Sequence, residues 1–222
     1  MNFYFFKRKE CFVPTALAWC AAGILCTFVF AVFVLTIHAF LAPVNPVRAD
    51  ILAVEGWLPE YALEQASVDF KTKGYRLLVV TGGPVESGHF LSGYNSLAEV
   101  GARTLVKLGI DSLRIVAVPS QFVRKDRTFE EAVALKDWLE RSGTPEKSLN
   151  LYSLGCHSRR SHLLYAHLLG KNYKLGIVAC ADRSYDNRKW WRYSNGVRSI
   201  ADESLAYVYA LMFSLFASDL QN

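Results

Sequence analysis

The longest feature of the sequence is an apolar stretch near the N-terminus. No Lys, Arg, Asp or Glu occurs between Cys11 and Val47. A helix needs about 20 apolar residues to cross a bilayer, so this stretch can span a membrane even when it is tilted. A cleavable signal peptide has a shorter apolar core, of roughly 7 to 15 residues, and a small-residue cleavage site, which residues 38–42 do not offer. We therefore predict an uncleaved transmembrane anchor over residues 11–42, followed by a short stalk over residues 43–49.

The charges on either side of the predicted anchor indicate its orientation. Lys7, Arg8 and Lys9 precede the anchor, whereas Arg48 follows it with Asp50 close by. Segments rich in Lys and Arg beside a membrane span tend to stay in the cytoplasm. The sequence therefore predicts a cytoplasmic segment at residues 1–10 and a single-pass protein of the plasma membrane. The domain over residues 50–222 is expected to lie outside the cytoplasm.

The remaining charges and the cysteines restrict the ligands that the domain is expected to bind. The chain carries a formal charge of +5 at pH 7, but residues 49–222 are nearly neutral. Because a nucleic-acid-binding domain needs a basic face, nucleic acid is not an expected partner. No Cys and His spacing typical of a metal site occurs, and neither a cofactor nor an oligomeric state can be named. Cys156 and Cys180 each follow a predicted strand, and whether they form a disulfide stays open.

Short apolar segments alternate with segments of helical periodicity from residue 49 onward. RLLVVT, at residues 76–81, is typical of a strand buried on both faces, and Pro59 suits the first turn of a helix. The predicted strands are Asp50–Val54, Arg76–Thr81, Arg114–Val118, Leu149–Leu154 and Lys174–Ala179, and the helices between them are Pro59–Lys73, Tyr94–Leu108, Phe129–Arg141 and His157–Leu169. This alternation predicts a Rossmann-like α/β domain with a parallel sheet of about five strands and helices on both faces.

The last apolar segment, Ser204–Leu220, is predicted to be a helix. Its uncharged part is short for a second membrane span. The helix is expected either to pack on the sheet or to rest against the membrane surface beside the anchor, and the sequence leaves both alternatives open.

The candidate ligand-binding residues are those that follow the predicted strands, because open parallel sheets bind ligands beyond the carboxyl ends of their strands. Glycines there let backbone N–H groups approach a ligand, and the fork of an arginine side chain matches the oxygen atoms of phosphate or carboxylate. The predicted ligand-binding residues are Gly56, Gly82, Gly83, Arg127, Thr128, Gly155, Arg159, Arg160 and Arg188. Neither GxGxxG nor GxxxxGK[ST] is present, so the standard dinucleotide and P-loop fingerprints are excluded.

The turn SLGCHSRRSH, at residues 153–162, places Arg159 and Arg160 where a helix is predicted to begin. The helix dipole disfavours cations at this end, and an anionic ligand bound there would remove the conflict. His157 is a candidate catalytic residue because histidine exchanges protons near neutral pH. Glu55, a carboxylate at the end of an apolar strand, is a second candidate that would orient a nucleophile or water. In the alternative interpretation, the arginines pair with Glu55, Asp126 or Asp182 inside the fold.

The order of four segments, ILAVEGW, LLVVTGG, RTFEEA and SLGCHSRRSHLLYAHLLG, resembles the bacterial YdcF/SanA/ElyC-like domain family over about residues 50–180. Thr81-Gly82-Gly83 matches the strand of that family that ends in Ser/Thr-Gly-Gly. His157 and Arg160 match its His-x-x-Arg motif. The resemblance implies a Rossmann-like domain that is anchored in the bacterial inner membrane, faces the periplasm and is linked with envelope integrity and with lipid-carrier or peptidoglycan processes.

Two classes of function are consistent with these residues. In the first, the protein is a hydrolase or transferase of phosphoryl groups that acts on a phosphorylated envelope precursor, either free or linked to a lipid. In the second, the same cleft binds an anionic ligand without turnover, as an envelope scaffold or sensor. The convergence of His157 and Glu55 with the arginines favours the enzyme, since binding alone needs only cations. Binding of a nucleotide or of S-adenosylmethionine is a weaker alternative, because the predicted domain lies outside the cytoplasm.

Overall fold

The computed structural model describes residues 13–86 and 93–219, with side chains described as far as residue 215. The chain forms two compact units that divide between Thr36 and Ile37. Helix α1 (Ala16–Leu41) makes up the described part of the first unit and continues into the second. Its side chains in the first unit are almost all exposed and apolar. By length and composition, α1 is able to cross a membrane.

The second unit is built on a six-stranded sheet. Its strands are β1 (Val44–Asn45), β2 (Ile51–Glu55), β3 (Leu77–Gly82), β4 (Ile115–Pro119), β5 (Ser148–Leu154) and β6 (Lys174–Cys180). Its helices are α2 (Glu60–Thr72), α3 (Leu97–Lys107), α4 (Arg127–Arg141), α5 (His157–Leu169) and α6 (Ser194–Asp219). The strand order is β1-β6-β5-β2-β3-β4, and all neighbours are parallel except β1 and β6. The predicted α/β fold is confirmed, and each predicted strand lies within one residue of its observed ends.

The central strand β2 is buried along its whole length, which explains its uninterrupted apolar sequence. Leu52 and Val54 point to the face covered by α2 and α3, and Ile51 and Ala53 point to the face covered by α4 and α5. The chain leaves β2 in one direction to form β3 and β4, and β5 and β6 lie on the other side. The strand order therefore reverses between β2 and β5, and a parallel sheet opens a crevice at the carboxyl ends of such a pair.

Within the predicted stalk over residues 43–49, Val44 and Asn45 form the edge strand β1. β1 pairs antiparallel with β6, and Val47 exchanges two hydrogen bonds of 2.8 Å with the side chain of Asn150. Asn150 is a buried polar residue in β5, and its amide also donates to the hydroxyl of Tyr75. A buried amide needs such partners, so the segment is held by an interaction that its own sequence does not reveal.

We expect Asn150→Ala to lower the free energy of unfolding by about 2–3 kcal/mol, because it leaves the backbone groups of Val47 and the hydroxyl of Tyr75 without their partner. The measurement is chemical denaturation of the detergent-solubilised protein. Asn172→Ala is the matched control, since Asn172 is exposed just before β6. Equal stabilities of the two variants would show that the contact of Asn150 with Val47 does not hold the segment.

The last helix starts at Ser194, ten residues before the predicted start at Ser204. The additional turns contain Ser, Asn and Gly, which have low helix propensity and hide the start in the sequence. Ile200, within these turns, is buried. The helix packs on α5 and leaves apolar side chains exposed on another side.

Candidate functional site

A cavity of about 500 Å³ lies beyond the carboxyl ends of the parallel strands, where the fold predicts a ligand site. Its walls come from the loops after β2, β3 and β4 and from the first turns of α4 and α5, with one residue each from α3 and α6. The polar residues that line it are Glu86, Ser120, Gln121, Asp126, Arg127, Thr128, Glu131, His157, Arg160 and Glu203, and Trp57, Gly83, Pro84, Leu97, Phe122 and Val123 complete the lining.

Glu203 holds His157 and Arg160 together. The Nδ1 atom of His157 lies 2.9 Å from Oε1 of Glu203. Arg160 donates to the same carboxylate from Nε, at 2.9 Å, and from Nη2, at 3.1 Å. Nη2 also lies 2.9 Å from Nδ1 of His157. Because Nη2 already has the carboxylate as its acceptor, we assign the Nδ1 proton of the imidazole to the bond with Glu203, which leaves Nε2 as the basic atom.

The pKa of the Glu203 carboxyl reflects these partners. Burial by itself raises this pKa, but the hydrogen bonds and positive charges of His157 and Arg160 outweigh burial and lower the pKa to about 2. Glu203 therefore stays ionised at neutral pH. A carboxylate that accepts from the Nδ1 of a histidine fixes the orientation of the ring and stabilises the imidazolium form, so Glu203 is the orienting partner of His157.

Glu55 lies beneath His157, outside the cavity. Its carboxylate is wholly buried and accepts hydrogen bonds from the hydroxyls of Ser153, at 2.6 Å, and Ser161, at 2.7 Å. Oε1 of Glu55 is 3.8 Å from Nε2 of His157. The predicted role of Glu55 in orienting a nucleophile does not fit this position, because the carboxylate does not line the cavity. It is placed to act through His157, by stabilising positive charge on the imidazole.

Glu131 is a site residue that the sequence did not single out. It is 5% exposed and lines the cavity, and its Oε2 has no hydrogen-bond partner among the described residues. Burial, and then the charge of Glu55, raise the pKa of Glu131 to about 8, against a smaller lowering by a hydrogen bond from the backbone of Gly83. The carboxyl is therefore mostly protonated at pH 7 and is able to donate a proton. Glu131 lies four residues after Arg127 and therefore on the same face of α4. This spacing is the signal in the sequence that could have identified it.

Four further residues of the predicted site line the cavity with His157. Gly83 donates its N–H to Glu131, and Thr128 accepts a hydrogen bond of 3.3 Å from Nη1 of Arg160. Arg127 forms an ion pair of 3.0 Å with Glu86, and both side chains are mostly exposed. Arg160 is paired inside the fold, as the alternative interpretation proposed, but its partner is Glu203 and not one of the carboxylates that the sequence suggested.

Three of the predicted glycines have roles in packing or in backbone conformation. A Cβ atom on Gly56 would lie 2.4 Å from the backbone oxygen of Leu97, and one on Gly82 would lie 2.6 Å from the backbone nitrogen of Ala98. Both glycines therefore let the start of α3 approach the ends of β2 and β3. Gly155 has a positive φ of 45°, the left-handed region that favours glycine. None of the three is among the cavity-lining residues.

Arg159 and Arg188 also lie outside the cavity. Consecutive residues of a helix point about 100° apart, so Arg159 turns away from the side that Arg160 occupies. Its Nε donates to the carbonyl oxygen of Phe40, at 2.7 Å, and its guanidinium lies over the ring of Phe40. Arg188 is exposed in the turn before α6. Neither arginine therefore lies where it was expected to contact a ligand.

Neither cysteine of the domain forms a disulfide. Cys156 and Cys180 are free thiols, and Sγ of Cys156 lies 3.5 Å from the hydroxyl of Tyr185. Within residues 13–86 and 93–219, no three His, Cys, Asp or Glu side chains are grouped to hold a metal ion.

A scan against protein-family models matches no family, and a search of curated proteins finds no match. The resemblance to the YdcF/SanA/ElyC-like family therefore stays a hypothesis that rests on the sequence segments alone.

Proposed function

We propose that the protein is a membrane-anchored enzyme of the YdcF/SanA/ElyC type. It hydrolyses or transfers the phosphoryl group of a phosphorylated precursor of the bacterial cell envelope, either free or linked to a lipid. One observation carries this proposal. Two buried atoms suited to opposite proton transfers, Nε2 of His157 and Oε2 of the protonated carboxyl of Glu131, belong to residues that line one cavity, and neither atom has a hydrogen-bond partner among the described residues.

In the hydrolytic reaction, a water oxygen attacks phosphorus while Nε2 of His157 accepts a proton from that water. Glu131 donates its proton to the leaving oxygen as the phosphorus–oxygen bond breaks. The products are inorganic phosphate and the free alcohol, and the proton returns from His157 to Glu131 through solvent. The imidazolium formed on His157 is stabilised by the carboxylates of Glu203 and Glu55, which lie on opposite sides of the ring.

Arg127 is the residue that we propose to bind the phosphate oxygens. Its ion pair with Glu86 is mostly exposed, and such pairs are worth at most about 1 kcal/mol. A phosphate dianion in the cavity would therefore compete well for the guanidinium. Arg160 has a different role in this proposal, because it is held by Glu203 and keeps that carboxylate in place beside Nδ1 of His157.

We further propose that α1 crosses the bacterial inner membrane once and that the domain lies in the periplasm. The length and apolar composition of α1 support the crossing. The basic residues Lys7, Arg8 and Lys9 support the orientation, although they lie outside the described residues.

His157→Gln is expected to lower kcat by about 100-fold or more while changing KM little, because it removes the proton acceptor and keeps a polar side chain next to Glu203. The measurement is release of inorganic phosphate by the detergent-solubilised protein from phosphorylated sugars, nucleotides and polyprenyl phosphates. His167→Gln is the matched control, since it makes the same change in the same helix away from the cavity.

Failure of the wild-type protein to release phosphate from every compound of the panel would contradict the enzymatic proposal. Mass spectrometry of molecules that co-purify with the protein then tests whether the cavity binds a ligand without turnover. A phosphorylated compound bound equally by the wild type and by His157→Gln would favour the non-catalytic scaffold or sensor.

A further inference from the structure

The second half of α6 exposes a row of apolar side chains. Leu205, Val208, Met212 and Leu215 are between 51% and 74% exposed. Their spacing of three and four residues places them along one side of the helix, opposite the buried Ala210 and Ser214. No charged residue occurs between Glu203 and Asp219. A continuous apolar row of this length on a surface helix marks an interaction site.

Aromatic and basic side chains continue this surface toward the start of α6. Trp191 and Tyr193 are exposed, and Lys189, Arg192 and Arg198 are exposed beside them. Tryptophan and tyrosine are enriched at the level of lipid headgroups, and basic side chains are attracted to anionic headgroups. Together with the apolar row, they give α6 and the turn before it the composition of a segment that lies in a membrane interface.

The position of α6 next to the last turn of α1 indicates that a membrane is the partner of the apolar row. The ring of Phe40 makes an edge-to-face contact with Tyr207, with ring centroids 5.5 Å apart. Phe40 belongs to the last turn of α1, so the apolar helix ends within one side-chain contact of α6. Any bilayer that holds the apolar part of α1 must end close to this point, because the chain enters β1 only three residues after α1 ends.

We propose that α6 lies in the surface of the membrane that α1 crosses, with its apolar row at the boundary of the acyl chains and with Lys189, Arg192 and Arg198 at anionic headgroups. The contact with the end of α1 and the adjoining basic residues favour a lipid surface over a second copy of the chain, which would use the apolar row alone. The inference rests on the proposed membrane anchor and is independent of the proposed phosphoryl chemistry.

The test places the photo-reactive amino acid p-benzoylphenylalanine at one position at a time in the full chain, reconstituted in vesicles of equal parts phosphatidylcholine and phosphatidylglycerol. The positions are Met212 in the apolar row, Phe28 in α1, and Leu113, which is 89% exposed in the turn before β4. After illumination, lipid adducts are quantified by mass spectrometry. We expect Met212 and Phe28 to form several-fold more lipid adduct than Leu113.

A lipid adduct at Phe28 with no more adduct at Met212 than at Leu113 would overturn this proposal and leave the anchor standing. Cross-linking of Met212 to a second copy of the chain, in place of lipid, would overturn it in favour of a dimer. Absence of lipid adduct at Phe28 would overturn the anchor, and the inference with it.

A substitution within the apolar row tests whether the adduct at Met212 depends on that row. Leu205→Glu places a charge in the exposed row, and we expect it to lower the lipid adduct at Met212 several-fold without changing the adduct at Phe28. Leu113→Glu makes the same change at an exposed leucine outside the row and is expected to leave both adducts unchanged. An unchanged adduct at Met212 in Leu205→Glu would contradict contact of the row with acyl chains.

Discussion

Replacing Glu131 by glutamine is expected to raise the free energy of unfolding at pH 7 by up to about 3 kcal/mol, since each unit between the two pKa values is worth about 1.4 kcal/mol. The carboxyl titrates at about 8 in the folded protein, against its ordinary value of 4.5. At pH 7 ionisation of Glu131 therefore lowers the free energy of the unfolded chain, whereas the folded chain keeps the carboxyl protonated. Glutamine removes this advantage of the unfolded state because its side chain stays neutral in both states.

The effect of this substitution depends on pH with a defined sign. The pKa of Glu131 is raised by folding, so its contribution to stability is fully present below pH 4.5 and is lost as the pH rises to about 8. The difference between Glu131→Gln and the wild type should therefore be near zero at pH 4.5, grow through neutral pH and level off above pH 8. Chemical denaturation at several pH values in detergent measures this profile.

Glu140→Gln is the control for this experiment, because Glu140 is exposed on the same helix and the substitution is the same. It should leave stability unchanged at every pH. Under the proposed function, Glu131→Gln is also expected to lose phosphate release, because the amide is not acidic enough to transfer a proton to the leaving oxygen. A gain in stability with a loss of turnover would be typical of a strained catalytic residue. A variant as stable as the wild type at pH 7 would show that Glu131 is not held protonated.

Arg160→Ala is expected to lower the free energy of unfolding at pH 7 by about 2–3 kcal/mol, since breaking a largely buried pair leaves a charge without its partner. Arg160 and Glu203 are each about one-fifth exposed or less. The pKa of Glu203 is lowered by folding, to about 2, so its contribution is present above pH 4.5 and is lost as the pH falls toward 2. The difference between the wild type and the variant should therefore shrink over that range.

The neighbouring arginine provides the control. Arg159→Ala makes the same substitution one residue earlier, where the side chain lies over Phe40 and outside the cavity. We expect its effect to stay below about 1 kcal/mol. Combining Arg160→Ala with Glu203→Gln should recover part of the lost stability, because the neutral amide no longer needs the guanidinium. Equal losses in Arg159→Ala and Arg160→Ala would contradict a special role for the pair with Glu203.

Much of the fold could be predicted because its signals are local. Apolar runs such as ILAVE and LLVVTG mark strands buried on both faces, and the segments between them carry helical periodicity. The general position of the site followed from the same pattern, since a parallel sheet brings the ends of its strands to one edge. Five of the residues expected there line the cavity, namely Gly83, Arg127, Thr128, His157 and Arg160. Their roles in binding and catalysis stay predictions.

The pairing of the site residues could not be predicted, because it depends on elements that are distant in the chain. Glu203 reaches Arg160 across 43 residues, from a helix whose beginning has no distinctive sequence signal. The orientation of α5 on the sheet decides which of the two adjacent arginines faces the cavity. Arg160 points to the cavity, and Arg159 points to Phe40.

The sequence by itself determined the order and the type of the strands and helices, the apolar length of α1 and the edge of the sheet at which polar residues collect. Only the tertiary structure decided which side chains are buried there and with what partners. The protonated state of Glu131 is the clearest case. It arises from burial and from the charge of Glu55, which is 76 residues away in the sequence and is brought near by packing of α4 against the sheet. Periodicity depends on residues that are close in the sequence, whereas the protonation state of a buried group depends on all the residues packed around it.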